Sequence, residues 1–282
     1  MNVLVTGASG RIGRYVVQEL AKAGHDVVAV DVVPLSQKGA WRFLLVDLTD
    51  AGQVYQALSW AKAEAVVHLG AWANAGRVPN TRTYGENVQS TFNVFQASAD
   101  LGVQRVIFAS SAQVYGLSAY PPLYLPLDEE HPLRPTNCYA LSKMAGEQAA
   151  EYFGQFGLTI LSFRFMGVRA PEELAAEVER ISRNPQGDAR LLWTRTDARD
   201  AALACRLALE APQVPAGPYN ITGGLVLQED ATALARRCFG EQLELREELT
   251  GSLSPLSCAK AQQAFGYRPR FLWREGHSFP LE

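Results

Sequence analysis

Short apolar, β-branched runs recur along this chain, at residues 3–5, 27–30, 43–46, 65–69, 106–109 and 158–165. Longer segments between them carry apolar residues at helical spacing. Ile12, Val16, Val17 and Leu20 form one stripe, and Val88, Phe92, Val94, Phe95 and Ala99 form another. A strand that reads as a continuous apolar run is buried on both faces, and helices laid on both sides of a sheet supply that covering. The alternation therefore predicts an α/β fold built on a doubly wound parallel sheet. Gly24 after Ala23 and Gly102 after Leu101 stand where helices stop, since glycine is favoured just past a last turn.

The rhythm breaks twice. Residues 116–136 hold Pro121, Pro122, Pro126, Pro132 and Pro135, and a loop of that length is expected to be a functional lid or mobile. Beyond Arg164 the pattern loosens into helices near 171–184, 198–210 and 229–239, with a short strand at 218–221. This predicts a main unit over 1–165 to which 198–221 returns. Residues 166–197 and 222–282 then form a small interleaved C-terminal annex.

Composition narrows the function classes. Lys and Arg total 26 against 29 Asp and Glu, a net charge of −3, so no basic excess exists to hold nucleic acid. No window approaches the ~20 consecutive apolar residues of a membrane span. The N-terminus lacks a basic stretch followed by a cleavable apolar region, so the cytoplasm is the expected location. Cys138, Cys205, Cys238 and Cys258 show no metal-ligand spacing and no histidine companions, which predicts reduced thiols and no metal. His25, His68, His131 and His277 are scattered and read as structural or surface residues.

The first strand ends in Thr6-Gly7-Ala8-Ser9-Gly10-Arg11-Ile12-Gly13. Gly7 permits a tight turn, Gly10 lets backbone approach a pyrophosphate, and Gly13 lets the helix sit close to the strand. The phosphates then meet free N–H groups at a helix N-terminus. Glycine triplets are common in turns, but this one lies at the strand-to-helix junction that a dinucleotide requires. The second strand ends at Asp31, whose carboxylate suits the adenosine ribose hydroxyls and repels a 2′-phosphate. The residues that follow are Val32, Val33 and Pro34, without an arginine. NAD is therefore the expected cofactor.

Tyr139-Ala140-Leu141-Ser142-Lys143 opens a helical stretch, and residues four apart share a helix face. A free tyrosine titrates near ~10, too high for a base at neutral pH, and a nearby cation lowers that value. Lys143 is expected to do so while holding the cofactor ribose. A Tyr-x-x-x-Lys arises by chance about 0.2 times in a chain of this composition, so the spacing alone does not decide. Ser110-Ser111 follows the run at 106–109, where ligands of such sheets bind.

These residues together resemble the extended short-chain dehydrogenase/reductase family, in its NAD-dependent epimerase/dehydratase group. The glycine loop matches, and further motifs follow in the family's order. They are Asp47-Leu48 beside the adenine, His68-Leu69-Gly70-Ala71 along the cofactor, and Asn87-Val88 as the helix asparagine that supports the site. The serine motif Ser110-Ser111-Ala112-Gln113-Val114-Tyr115-Gly116 comes next, then Glu130-His131-Pro132, Pro135 and Tyr139 to Lys143. The resemblance implies a Rossmann-type fold whose annex binds substrate, with Ser111, Tyr139 and Lys143 catalytic. It implies cofactor contacts from Gly7, Ser9, Gly10, Arg11, Ile12, Gly13, Asp31, Asp47, Leu48, Leu69, Gly70, Ala71, Asn87, Tyr139 and Lys143. Substrate contacts are expected from Ser111, Ala112, Gln113 and Arg164.

Members acting on nucleotide sugars usually carry an asparagine after the sixth strand, and here Gly167 stands in its place. The C-terminal part is also short. Uronate dehydrogenases of the family resemble the chain in both respects, which implies net dehydrogenation of a sugar or sugar acid. The alternatives are a nucleotide-sugar epimerase or dehydratase, and a non-catalytic NAD-binding regulator. Arg77, Arg82, Arg164, Arg169, Arg195 and Arg199 are candidates for an anion clamp, since arginine pairs bidentately with carboxylate or phosphate. The helices near 84–102 and 137–156 often form a dimer interface in relatives, so a homodimer is expected.

Overall fold

The computed structural model describes residues 1–251 and 253–276; Ser252 and residues 277–282, His277 among them, lie outside the described residues. β1 (Asn2–Thr6) leads into α1 (Gly13–Lys22), and β2 (Asp26–Asp31) and β3 (Trp41–Leu45) follow. α2 (Ala51–Ala61) is started by Asp50, whose side chain accepts from Gln53 N at 3.2 Å, a cap that satisfies one of the helix's orphan donors. β4 (Ala65–His68), α3 (Asn80–Asp100), β5 (Arg105–Ser111) and a short β6 (Tyr124–Leu125) come next. α4 (Cys138–Gly154) is capped by Asn137, which accepts from Ala140 N at 2.9 Å. The chain continues through β7 (Thr159–Phe165), β8 (Val168–Arg169), α5 (Pro171–Arg183), β9 (Thr196–Asp197), α6 (Ala198–Glu210) and β10 (Gly217–Ile221). α7 (Ala231–Phe239), β11 (Glu244–Leu245) and α8 (Ala259–Phe265) complete it.

Seven strands form one sheet in the order β10-β7-β5-β4-β1-β2-β3, and every pairing is parallel. Its faces are covered by two apolar clusters. One joins Val16, Val17 and Leu20 of α1 to Ala201, Ala204 and Cys205 of α6 and Phe265 of α8. The other joins Val54 and Leu58 of α2, Val94 and Phe95 of α3 and Phe153 of α4. The uninterrupted apolar strands are explained by this double covering. A third cluster, around Tyr115, Leu174, Trp193, Leu225, Leu234 and Trp273, lies off the sheet.

β1 and β4 are neighbours, yet the chain leaves β1 toward β3 and leaves β4 toward β10. The strand order reverses there, and the loops at the carboxyl ends diverge to leave a crevice.

The proline-rich loop differs from expectation. β6 within it pairs with β11, and Leu127 exchanges backbone bonds with Pro255 and Ser257, each at 2.8 Å. His131 accepts from Leu123 N at 3.0 Å, and Leu125 and Leu127 are fully buried. The loop is a fixed strut between the sheet and the C-terminal segment, because its prolines alternate with apolar residues that have somewhere to pack. Among the described residues no helix is long and apolar enough to cross a membrane.

Candidate active site

The crevice begins at the turn after β1. Gly7 takes φ +64°, and a Cβ there would lie 2.6 Å from Gly70 N. A Cβ on Gly13 would lie 2.1 Å from Gly7 O, so α1 approaches the strand as closely as backbone allows. Among the described residues the amides of Arg11 and Ile12, just before the helix, have no backbone acceptor, and they lie at a helix N-terminus suited to anions. Ser9 N donates to Asp31 Oδ2 at 3.0 Å and Val33 N to Asp31 Oδ1 at 3.2 Å. The acidic end of β2 thus shapes the glycine loop. A dinucleotide's pyrophosphate and ribose fit this cradle, in which added side chains would clash.

The Arg11 side chain is placed elsewhere. Its guanidinium makes a two-bond pair with Glu173 of α5, at 2.9 Å each, so only its main chain faces the loop. Asp47 is exposed and accepts from Thr49 N and Oγ1 at 2.9 and 2.7 Å. Leu48 reaches Gly70, where a Cβ would lie 2.4 Å from Leu48 Cδ1. Leu69 N and Gly70 N both donate to Thr6 Oγ1 at 3.1 Å, and Ala71 follows, exposed. These residues line the carboxyl ends of β1 and β4.

Ser111 is the last residue of β5 rather than the first beyond it, and Gln113 N donates to its Oγ at 3.2 Å. Tyr139 and Lys143 lie one turn apart on α4, 8 % and 3 % exposed. Ser111 lies beside Tyr139, near enough to favour its phenolate, and Lys143 Nζ stands 5.7 Å from the Tyr139 ring centre. The three residues therefore meet beside the cofactor crevice. Asn87 is buried, accepts from Trp72 N at 2.8 Å and donates to Trp72 O at 3.2 Å and Ser142 Oγ at 3.1 Å. These bonds join the loop after β4 to α4.

Burial pushes Tyr139 up to about 12, against the neighbouring Ser111, which favours the phenolate. Burial also brings Lys143 down to about 7. Sequence reasoning expected the lysine to lower the tyrosine; burial instead raises the phenol, and Ser111 is the group that lowers it.

Gln113 spans the mouth: its Nε2 donates to Asn74 Oδ1 at 3.3 Å, and Asn137 Nδ2 donates to its Oε1 at 3.2 Å. Ala112 is buried beneath it. Arg164 is not presented as an anion clamp. It bonds Glu147 from Nε and NH2 at 3.0 and 2.7 Å, and its NH1 reaches Tyr115 Oη and Glu129 O. A buried guanidinium needs such compensation, which uses up its donors. Arg82, Arg169, Arg195 and Arg199 are likewise paired with carboxylates of the protein. Arg77, exposed in the loop after β4, has no side-chain partner among the described residues.

With this geometry in place, comparison with known proteins is decisive for the family. The model of the NAD-dependent epimerase/dehydratase family matches residues 3–222. The chain belongs to that family. A UDP-glucose 4-epimerase of Lactobacillus helveticus is 32% identical over 178 residues, 60% of this chain and 52% of that protein. The chain spans about half the length of the curated relatives it matches. A short-chain dehydrogenase/reductase superfamily protein from Agrobacterium tumefaciens, solved with bound NAD, shares the fold. Its TM-score is 0.73 at 24% identity, covering 95% of this chain and 92% of that one. A UDP-galactose 4-epimerase gives 0.69 at 25%, covering 96% and 94%.

Within this family frame the glycine at 167 has a local cause. Its φ is +52°, a region that asparagine also tolerates, but a Cβ would lie 3.1 Å from Arg195 Cδ. The buried Arg195 side chain takes the room a larger residue would need. Sequence reasoning missed the supports beneath the site. His68 bonds Thr6 Oγ1 at 2.8 Å and Thr91 Oγ1 at 3.2 Å, and Glu147 accepts from Ser110 Oγ. Glu147 lies at i+4 from Lys143 and carried a signal that could have been used, since a carboxylate on a helix's inward face needs a partner.

Proposed function

We propose that this enzyme oxidises a hydroxyl of a nucleotide-sugar substrate and returns the hydride to the opposite face of the ring, as an epimerase. The observation that carries the reading is the meeting of Ser111, Tyr139 and Lys143 at the carboxyl ends of the central strands, beside the glycine loop. The nucleotide-sugar part rests on the likeness to UDP-glucose 4-epimerases. Gly7, Gly13, the Arg11 and Ile12 amides and Asp31 hold NAD, which when bound accepts hydride at nicotinamide C4. Tyr139 takes the proton of the sugar hydroxyl and later gives it back, and Ser111 holds that oxygen in line. Lys143 supports the phenolate and the ribose. Asn87 keeps α4 in register with the loop after β4, and the described residues of the annex cover the substrate.

A second reading, net dehydrogenation of a sugar acid, is favoured by Gly167 and by the internal pairing of the arginines, which leaves Arg77 as the open cation for a small anion. Incubation with UDP-glucose, following UDP-galactose and NADH together, tests both. Interconversion without NADH build-up is expected. NADH accumulating with a hexuronate, without interconversion, selects the second reading. Neither activity with NAD bound would leave a non-catalytic NAD-binding protein. We further propose a homodimer through α3 and α4, which expose Phe92 and Tyr152 at 45% and 49%, with Phe156 just beyond α4 exposed at 64%.

A further inference from the structure

We propose that Glu147, gripping Ser110 and Arg164, is a positioning residue that holds Tyr139 and Lys143 against Ser111. The inference rests on the catalytic reading above but concerns residues that touch neither substrate nor cofactor. Tyr139, Lys143 and Glu147 recur at four-residue spacing, so they share one face of α4. All three are buried. The first two are the reacting pair, and the third is the anchor.

Glu147 Oε1 accepts from Ser110 Oγ and from Arg164 Nε at 3.0 Å, while Oε2 accepts from Arg164 NH2 at 2.7 Å. Ser110 immediately precedes Ser111 in β5, and its register partner across the sheet in β7 is Arg164. One carboxylate therefore ties α4 to two adjacent strands at the residue next to the catalytic serine. Arg164 is itself oriented by Tyr115 Oη at 2.9 Å, and Tyr115 Oη donates to Asn220 Oδ1 of β10 at 2.6 Å. The clamp thus reaches across β5, β7 and β10.

The Lys143 side chain has no hydrogen bond among the described residues; its Nζ stands 5.0 Å from the Phe108 ring centre. Its position follows from how α4 is seated. Gly146 lets the helix press onto Phe108, where a Cβ would lie 2.4 Å from Phe108 Cζ. Close packing sets the separation of helix and sheet, and the Glu147 clamp sets the rotation of the helix about its axis. The Asn87–Ser142 bond at 3.1 Å fixes the other side. A displacement of about 1 Å at reacting groups is enough to cost about 100-fold in rate, so a rotational lock matters.

Ser110→Ala removes one arm of the clamp with little change in volume. The double variant Glu147→Gln/Arg164→Met removes both charges together, leaving no ion buried alone. Each is compared with the parent and with Tyr139→Phe for kcat, KM, NAD Kd and Tm, and crystal structures of the NAD complexes are solved. Ser110→Ala is expected to lose about tenfold or more in kcat, with KM and NAD Kd within about twofold, and to open the Tyr139–Ser111 contact. The double variant loses kcat even where its Tm matches the parent. A purely structural clamp would instead lower Tm and leave kcat per folded enzyme, and the Tyr139–Ser111 contact, unchanged; that result overturns the proposal. Activity surviving in Tyr139→Phe would overturn the catalytic reading instead, and the positions of Tyr139 and Ser111 in the crystals would then decide the clamp alone.

Discussion

Lys143 Nζ lies 5.7 Å from the centre of the Tyr139 ring and 5.0 Å from that of Phe108, and among the described residues no carboxylate pairs with it. The Lys143 amine stands in an apolar wall beside the Phe108 and Tyr139 rings, and burial brings it down to about 7.

Lys143→Met should therefore separate stability from activity. The unfolded lysine is charged up to about pH 10.5, while the folded one loses its proton near 7, so at neutral pH the fold bears a desolvation penalty that methionine lacks. Urea unfolding at pH 7 should show the variant more stable by about 1 kcal/mol or more. Its turnover should fall by about 100-fold or more. A variant less stable than the parent would mean that the ammonium is well solvated in the fold.

His68 predicts an acid limb in stability. Burial, then the Lys143 charge, lowers it from 6.5 to about 3. The unfolded state binds the proton first as pH falls, so stability is undiminished above pH 6.5 and declines from there toward 3. The slope from this group is at most about 1.4 kcal/mol per pH unit. Urea midpoints between pH 7 and 4.5 should fall more steeply for the parent than for His68→Gln. Equal slopes would show that His68 is not the proton acceptor.

Asp31 both shapes the glycine loop through Ser9 N and presents the acid expected to face the ribose. Asp31→Ala should weaken NAD by about tenfold and NADPH much less, because the repulsion of a 2′-phosphate goes with the carboxylate. Titration of both nucleotides by fluorescence gives the ratio. An unchanged ratio would place the cofactor's ribose away from β2.

Much of this was legible in the sequence where a residue's environment is local. The parallel sheet follows from continuous apolar runs, and the caps and glycine turns act within a few residues. Tyr139 and Lys143 share a face by helix geometry alone. What was not legible depends on residues far apart in the chain. Arg164 reads as an open cation until Glu147, 17 residues earlier, is seen to hold it. Arg11 is drawn to Glu173 across 162 positions. The 116–136 loop reads as a lid because its partner strand, β11, is only two residues long and lacks any periodic signal. The motif position of Asn87 does not reveal that its amide also joins Trp72 to Ser142.

Tyr139→Phe tests the central claim most directly. NAD Kd and the turnover of UDP-glucose or a hexuronate would be measured on the same preparation. The account predicts an NAD Kd within about threefold of the parent and turnover lower by about 10²–10⁴-fold, since only the proton-transfer group is removed. Turnover near that of the parent, with NAD bound normally, would contradict it and move the chemistry away from Tyr139.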